Sequence, residues 1–137
     1  TFSDQPIDHT LQHGHTFCGN PIAAAAALAA LQCYQSGIIA GVPAKASLLE
    51  RALAPARSHG RVRDIRLLGL MAAIELHPET EPPGRPTIPH RIRRRLKENK
   101  ILLRPLGQVL YIMPPLVTPD HELEWLAGML IDALDTP

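Results

Sequence analysis

The sequence predicts an α/β (α+β) domain in which helices cover a small mixed sheet. Three observations carry that expectation. Segments with apolar residues every three or four positions alternate with short aliphatic runs that suit strands. Helix-start and helix-stop residues punctuate the first kind of segment. The resulting order is helix, helix, strand, strand, helix, strand, strand, helix, with no internal repeat and no low-complexity tract.

The first helix is expected over residues 21–35, PIAAAAALAALQCYQ, because alanine is the best helix former and Ser36-Gly37 is a reasonable stop. Small side chains nearly all round would let other elements approach it closely, so it is expected to be buried. Residues 36–43 read as a connector. A second, amphipathic helix over 45–57 carries Leu48, Leu49, Ala52 and Leu53 on one face, and Pro55 should end or kink it. Residues 62–76 suggest two strands, or one bent strand, broken near Gly69. The proline-rich stretch 77–86 is a loop. A third helix over 87–99 sets Ile88, Ile92 and Leu96 against Arg91, Arg93, Arg94 and Arg95, a face expected to be solvated. Residues 101–113 should form two short strands around a turn at 105–108. Thr118 and Pro119 then suit the N-cap and first position of a last helix that buries Leu123, Leu126, Leu130 and Leu134.

With 137 residues the chain can bury one ordinary core. Its beginning at Thr1 and its unpatterned first dozen residues suggest the C-terminal part of something longer. A formal net charge of +1 argues against nucleic acid or a membrane surface as a general partner. The longest apolar run, residues 22–31, is about half the length a bilayer span requires, so the expectation is a soluble chain with no membrane partner. Cys18 and Cys33 make neither a disulfide framework nor a redox motif, which suits a reducing, cytoplasmic location.

Most of the polar chemistry sits in residues 13–21, HGHTFCGNP. Asn20 is a good N-cap and Pro21 a good first helical residue. The partly positive helix start, with the Thr16 hydroxyl beside it, could seat a phosphate; the same residues also make an ordinary capped turn, and both readings stay open. No partners at zinc spacing accompany the His-x-His pair, so no metal site is expected. No catalytic nucleophile is evident: Cys18 lacks a demonstrable base, and Lys45, Lys97 and Lys100 fall on exposed helix faces or ends. Arg104 follows three apolar residues and precedes a proline, so it can project a rigid guanidinium fork that suits a carboxylate; an internal salt bridge or a solvated strand end is the plainer reading. Tyr111 could line the same site or simply pack.

Three stretches, HGHTFCGNPIAAAAALAAL, RVRDIRLLGLMAAIEL and ILLRPLGQVLYIMPPL, resemble in order and spacing the C-terminal portion of class III pyridoxal phosphate-dependent aminotransferases. Within that class the run RPLGQVLYIMPP is most similar to the diaminononanoate synthase family of biotin biosynthesis, although Leu116 stands where a tyrosine often follows the paired prolines. The resemblance implies the small C-terminal domain of a fold-type I transferase over residues 38–137, preceded by a loop and linking helix over 1–37 that belong to a large domain. It implies that His15 and Thr16 contact the phosphate of pyridoxal 5′-phosphate in the opposite subunit of a homodimer with shared active sites. It further implies that Gly14 lets the backbone approach a small-molecule substrate and that Arg104 holds a substrate carboxylate. The cofactor-anchoring lysine of the family would lie upstream of Thr1, leaving this chain inactive alone. Another ω-amino acid aminotransferase, or a non-catalytic interaction module using the alanine-rich helix or the arginine face, are the alternatives.

Overall fold

Helix α1 (Pro21–Cys33) begins where its start signals lie. Asn20 has extended backbone angles, and its Oδ1 accepts hydrogen bonds from the N–H groups of Ile22 and Ala23 at 2.9 and 3.2 Å. The N–H of Tyr34 closes the other end on the carbonyls of Ala30 and Leu31, and a wider helical turn (Tyr34–Ile38) follows, with Gly37 at φ +100°. Only glycine takes that angle without strain. The computed structural model describes residues 14, 16–79 and 84–137. Its backbone divides into two compact units, Thr1–Ser36 and Gly37–Pro137.

The expectation that α1 is buried is wrong for this chain: none of its residues is. Its apolar residues lie all round it and stay exposed, Ile22, Leu28 and Leu31 among them. By length and composition alone, the helical stretch Pro21–Ser58, with an 18-residue window of mean hydropathy 1.5, is enough to cross a membrane. Regular α-helix covers only 13 residues there before the turn at Gly37. At 1.5 Å per residue that is about 20 Å, well short of a hydrocarbon core of about 30 Å.

Helix α2 (Ile39–Leu53) starts earlier than its amphipathic pattern suggests and takes in Pro43. The bond that this proline cannot donate would have ended on the carbonyl of Ile39, at the first residue of the helix, where its loss disturbs little. Pro55 ends α2 as expected, opening a tight turn at Ala54–Ser58.

Strands β1 (Val62–Leu68) and β2 (Met71–Leu76) form a hairpin around Gly69, at φ +58°. β2 also pairs antiparallel with β3 (Val109–Ile112), so the sheet has the order β1-β2-β3 and is antiparallel throughout, not mixed. The first of the two strands expected over 101–113, the one before the turn at 105–108, does not form. Pairing there stops at a single bridge, Leu106 with Val109, because the preceding Pro105 has no N–H to offer a ladder. A register shift between Val62 and Asp64 sets Val62 and Ile65 on the same buried face despite their spacing.

That face, carrying Ala72, Ile74, Leu76, Leu110 and Ile112, packs under α2, α3 (Ile88–Glu98) and α4 (Asp120–Leu134). The core stripe of α3 is Ile88, Ile92 and Leu96, as the spacing predicts. In α4, Leu123, Leu130 and Leu134 are buried, joined by Ala127 and Ala133, whereas Leu126 is half-buried. Pro119, not Thr118, is its N-cap. The Thr118 carbonyl instead accepts a hydrogen bond from Lys45 Nζ, which also reaches the carbonyl of Leu116 at 3.2 Å. Lys45 is therefore half-buried and engaged, a correction to the exposed position expected for it.

Arg91 also departs from the solvated face assigned to it and is buried. Its Nε donates to the main-chain oxygen of Pro137 and its Nη1 to that of Pro86, both at 2.7 Å. Arg61 Nη1 donates to the carbonyls of Leu134 and Thr136 at 2.5 and 2.6 Å. Carbonyls in the last turn of α4 and just after it lack helical partners, and these two guanidinium groups donate to those of Leu134, Thr136 and Pro137. Truncating Arg91 leaves buried acceptors unpaired, so Arg91→Met should lower unfolding stability by about 2–3 kcal/mol in urea titration. Lys100, at φ +63°, is the non-glycine residue with positive φ among those described. Lys100→Gly should relieve that strain and raise stability by up to about 1 kcal/mol in the same assay.

Candidate functional site

The site is built on the stretch that leads from α3 into β3. Helix α3 ends in a left-handed turn: Lys100 N–H donates to the Lys97 carbonyl at 2.9 Å and Ile101 N–H to the Leu96 carbonyl at 3.0 Å. From there the backbone runs extended, and its side chains alternate. Ile101 and Leu103 are buried at 8% and 3% exposure, whereas Leu102, at 83%, and Arg104 point outward. Two apolar pins thus hold a charged residue at the rim of the core. Pro105 stiffens the next step, and the chain reverses through Gly107, at φ +57°, with Leu106 and Val109 exchanging hydrogen bonds of 2.9 and 3.0 Å. A positive φ first in a two-residue turn is where a primed hairpin turn calls for glycine.

β3 then buries Leu110 and Ile112 and leaves Tyr111 half-buried on the other face. Arg104 and Tyr111 consequently line one cavity of about 450 Å³, walled by Leu102, Met113, Pro115 and Leu126. No hydrogen bond or ion pair ties the Arg104 guanidinium to any described residue, and the side chain is exposed. An adjoining hollow of about 200 Å³ shares Tyr111 and contains Arg66. Arg66 is different in kind: its Nη1 donates to Glu75 at 2.6 Å and Asp64 at 2.9 Å, and these bonds, Glu75 first, hold its pKa above the ordinary arginine value. One guanidinium is paired with acids, and the other has no acidic partner among the described residues. A larger groove of about 480 Å³, between Val42, Leu68, Met71 and Pro114, has no charged residue in its lining.

An apolar cavity with one guanidinium fork and one phenol is suited to a carboxylate at the end of an aliphatic body. Sequence reasoning missed Leu102, Leu126 and the Arg66 cluster. The signal for Leu102 was present: the order Ile, Leu, Leu, Arg in an extended segment must turn alternate residues outward.

In the Thr1–Ser36 unit, Thr16 is exposed in a turn over residues 16–19, with Gly19 at φ +76° and the Asn20 N–H bonded to the Phe17 carbonyl at 3.3 Å. The start of α1 is already occupied: Asn20 takes the N–H groups of Ile22 and Ala23, its carbonyl takes that of Ala24 at 3.0 Å, and Pro21 has none. The helix end is therefore a capped start rather than an open phosphate cradle, and a phosphate here would have to be held by the Thr16 turn. The exposed hydroxyl of Thr16 fits that use. Gly14 is exposed, and a side chain there would meet nothing within 4 Å. His15 lies outside the described residues. Arg104 and Tyr111 thus share one cavity, and Gly14 and Thr16 belong to the other unit.

Comparison with known proteins agrees with this architecture. Residues 4–134 match the model of the family described as aminotransferase class-III. The adenosylmethionine-8-amino-7-oxononanoate aminotransferase of Nitratidesulfovibrio vulgaris is 39% identical over 130 residues, covering 91% of this chain and 24% of that protein. The ornithine aminotransferase of Bordetella pertussis is 33% identical over 125 residues, covering 90% of this chain and 28% of that protein. Among solved structures, adenosylmethionine-8-amino-7-oxononanoate aminotransferase from Methanocaldococcus jannaschii superposes with a TM-score of 0.80 at 32% identity, over 92% of this chain and 30% of that one. The omega transaminase from Pseudomonas jessenii in complex with PMP gives 0.80 at 28% identity, over 92% and 29%. The chain thus spans about a quarter to a third of the length of the curated relatives it matches. With a three-helix, three-strand unit that matches the C-terminal portion of these enzymes, it belongs to the class III aminotransferase family, whose members depend on pyridoxal phosphate.

Proposed function

We infer that this chain supplies the carboxylate-binding part of a pyridoxal phosphate-dependent aminotransferase, and that the reaction served is amination of 8-amino-7-oxononanoate to 7,8-diaminononanoate with S-adenosylmethionine as amino donor, in biotin biosynthesis. The observation that carries the reading is Arg104, held without a partner among the described residues at the mouth of an apolar cavity beside Tyr111. A keto acid with a long methylene chain and one terminal carboxylate matches such a wall and such a fork. Relatives of that named activity at 31–39% identity support the choice of substrate.

The cofactor supplies the electron sink for exchange of the amino group. Arg104 binds and orients the acid end, the aliphatic walls exclude water from the chain beyond it, and Tyr111 narrows the cavity. Thr16 would hold the cofactor phosphate with its hydroxyl, in the opposite subunit of a homodimer, and Gly14 would leave room for the substrate. His15 joins Thr16 in that reading. The lysine that anchors the cofactor would belong to the portion of the relatives that this chain does not span. Among the described residues Lys45 is committed to main-chain carbonyls, and the chain alone is expected to be inactive in the cytoplasm or in vitro. A second reading, transfer from another ω-amino acid, is favoured by the ornithine aminotransferase relative and by Leu116 after Pro114-Pro115.

In the complete enzyme, Arg104→Ala should raise KM for the keto acid by about 100-fold, the loss of one charge-assisted bidentate contact, with Arg104→Lys in between. Because no bond to a described residue is broken, the urea midpoint should correspond to a change within about 0.5 kcal/mol. An unchanged KM, or a large stability loss, would remove Arg104 from the site. Ornithine outcompeting S-adenosylmethionine as donor would select the second reading. Thr16→Ala should weaken cofactor binding about tenfold in spectroscopic titration, independent of turnover. Retention of full cofactor affinity would break the phosphate assignment.

A further inference from the structure

The outer face of α3 carries a feature that amino-group transfer does not use. His90, Arg93, Arg94 and Lys97 line a depression of about 230 Å³. Their spacing of three, four and seven positions puts them on one side of the helix, away from the stripe of Ile88, Ile92 and Leu96. The imidazole of His90 is fixed by Thr87, whose Oγ1 lies 2.8 Å from Nδ1. None of the three permanent cations makes an ion pair with a described residue, and Glu98, four residues after Arg94, stays apart from it.

Elsewhere in the same unit several cations are compensated, although Arg104 and Arg95 also make no ion pair with a described residue. Arg63 and Arg66 meet Glu75, Arg61 meets Glu79, and Arg91 meets main-chain carbonyls. On α3 the like charges stand together: Arg93 and Lys97 are four apart, and Arg94 and Lys97 three apart, spacings at which cations repel and weaken a helix. A bound anion would turn that repulsion into attraction.

We propose that this groove binds an extended phosphate anion, a polyphosphate or the phosphate chain of a nucleotide. Two guanidinium forks and an ammonium match phosphate oxygens, and the four positions extend along about 10 Å of helix axis, longer than a single oxyanion. Walls made almost wholly of donors, with the His90 imidazole as the one ring and that ring held by Thr87, assign recognition to the phosphates.

The test is calorimetric titration of the complete protein with inorganic tripolyphosphate, alongside adenosine triphosphate, at fixed ionic strength. Saturable binding of one equivalent is expected, weakened at least about tenfold by Arg93→Gln or Arg94→Gln. Arg95→Gln removes the same charge from another side of the helix and should leave affinity unchanged. Equal affinity for the two anions confirms recognition of the phosphates alone, and tighter nucleotide binding confirms the site while adding a contact to the base or sugar. Failure to saturate at millimolar anion, or an equal loss with Arg95→Gln, would overturn the proposal. None of these residues lines the Arg104 cavity, so the outcome is independent of the transaminase reading.

Discussion

The alternation of buried and exposed side chains between α3 and β3 is the constraint on which the candidate site depends. Ile101 and Leu103 are inserted into the core, so the residues between and after them must face out. Arg104 is the second of these. Helix α3 fixes where the segment begins, through the left-handed turn at Lys100, and the Leu106–Val109 bridge fixes where it reverses. A guanidinium mounted this way is positioned by the apolar residues on either side and not by a polar partner among the described residues.

The same logic separates the arginines of this chain into kinds that composition cannot distinguish. Arg61 and Arg91 close the carbonyls in the last turn of α4 and just after it and belong to the fold. Arg63 and Arg66 are tied to acids on the open face of the sheet. Arg104 faces an apolar cavity alone, and Arg93 and Arg94 share a groove with other cations. Arg91 shows how sequence pattern misleads here: it lies in a run of charged residues, yet one helical position off the polar side brings it against the main chain of Pro86 and Pro137. A run of like residues does not share one environment when the helix turns 100° at each step.

Local signals located most of the elements. Asn20-Pro21 marked the start of α1, Gly69 the hairpin, Pro55 the end of α2, and the Ile88, Ile92, Leu96 stripe the buried side of α3. What pattern could not supply was long-range. The early start of α2 through Pro43 depends on where the missing hydrogen bond falls, and the burial of Lys45 depends on a loop more than seventy residues away. The loss of the fourth strand turns on one absent N–H at Pro105, a signal present in the sequence but outweighed by the aliphatic run around it. At the site, Arg104 and Tyr111 were both legible. Their meeting in one cavity was among the alternatives, because a reversal at 105–108 was expected between them, but pattern could not choose it over simple packing of Tyr111.

The capped start of α1 changes how phosphate recognition by this family member has to be framed. An open helix end would offer several N–H groups and a dipole, and a threonine beside it would add only one more donor. Asn20 closes that end by accepting from Ile22 and Ala23, so the donors that a phosphate could use shift to the exposed turn around Thr16. A hydroxyl on an exposed turn is weakly fixed by its own chain, and it becomes a precise contact only when a ligand or a second surface orders it. Arg104 is pre-positioned by its own core. On the proposed reading, the carboxylate anchor would be built into this unit, and the phosphate anchor would gain its geometry only against its ligand or a second surface.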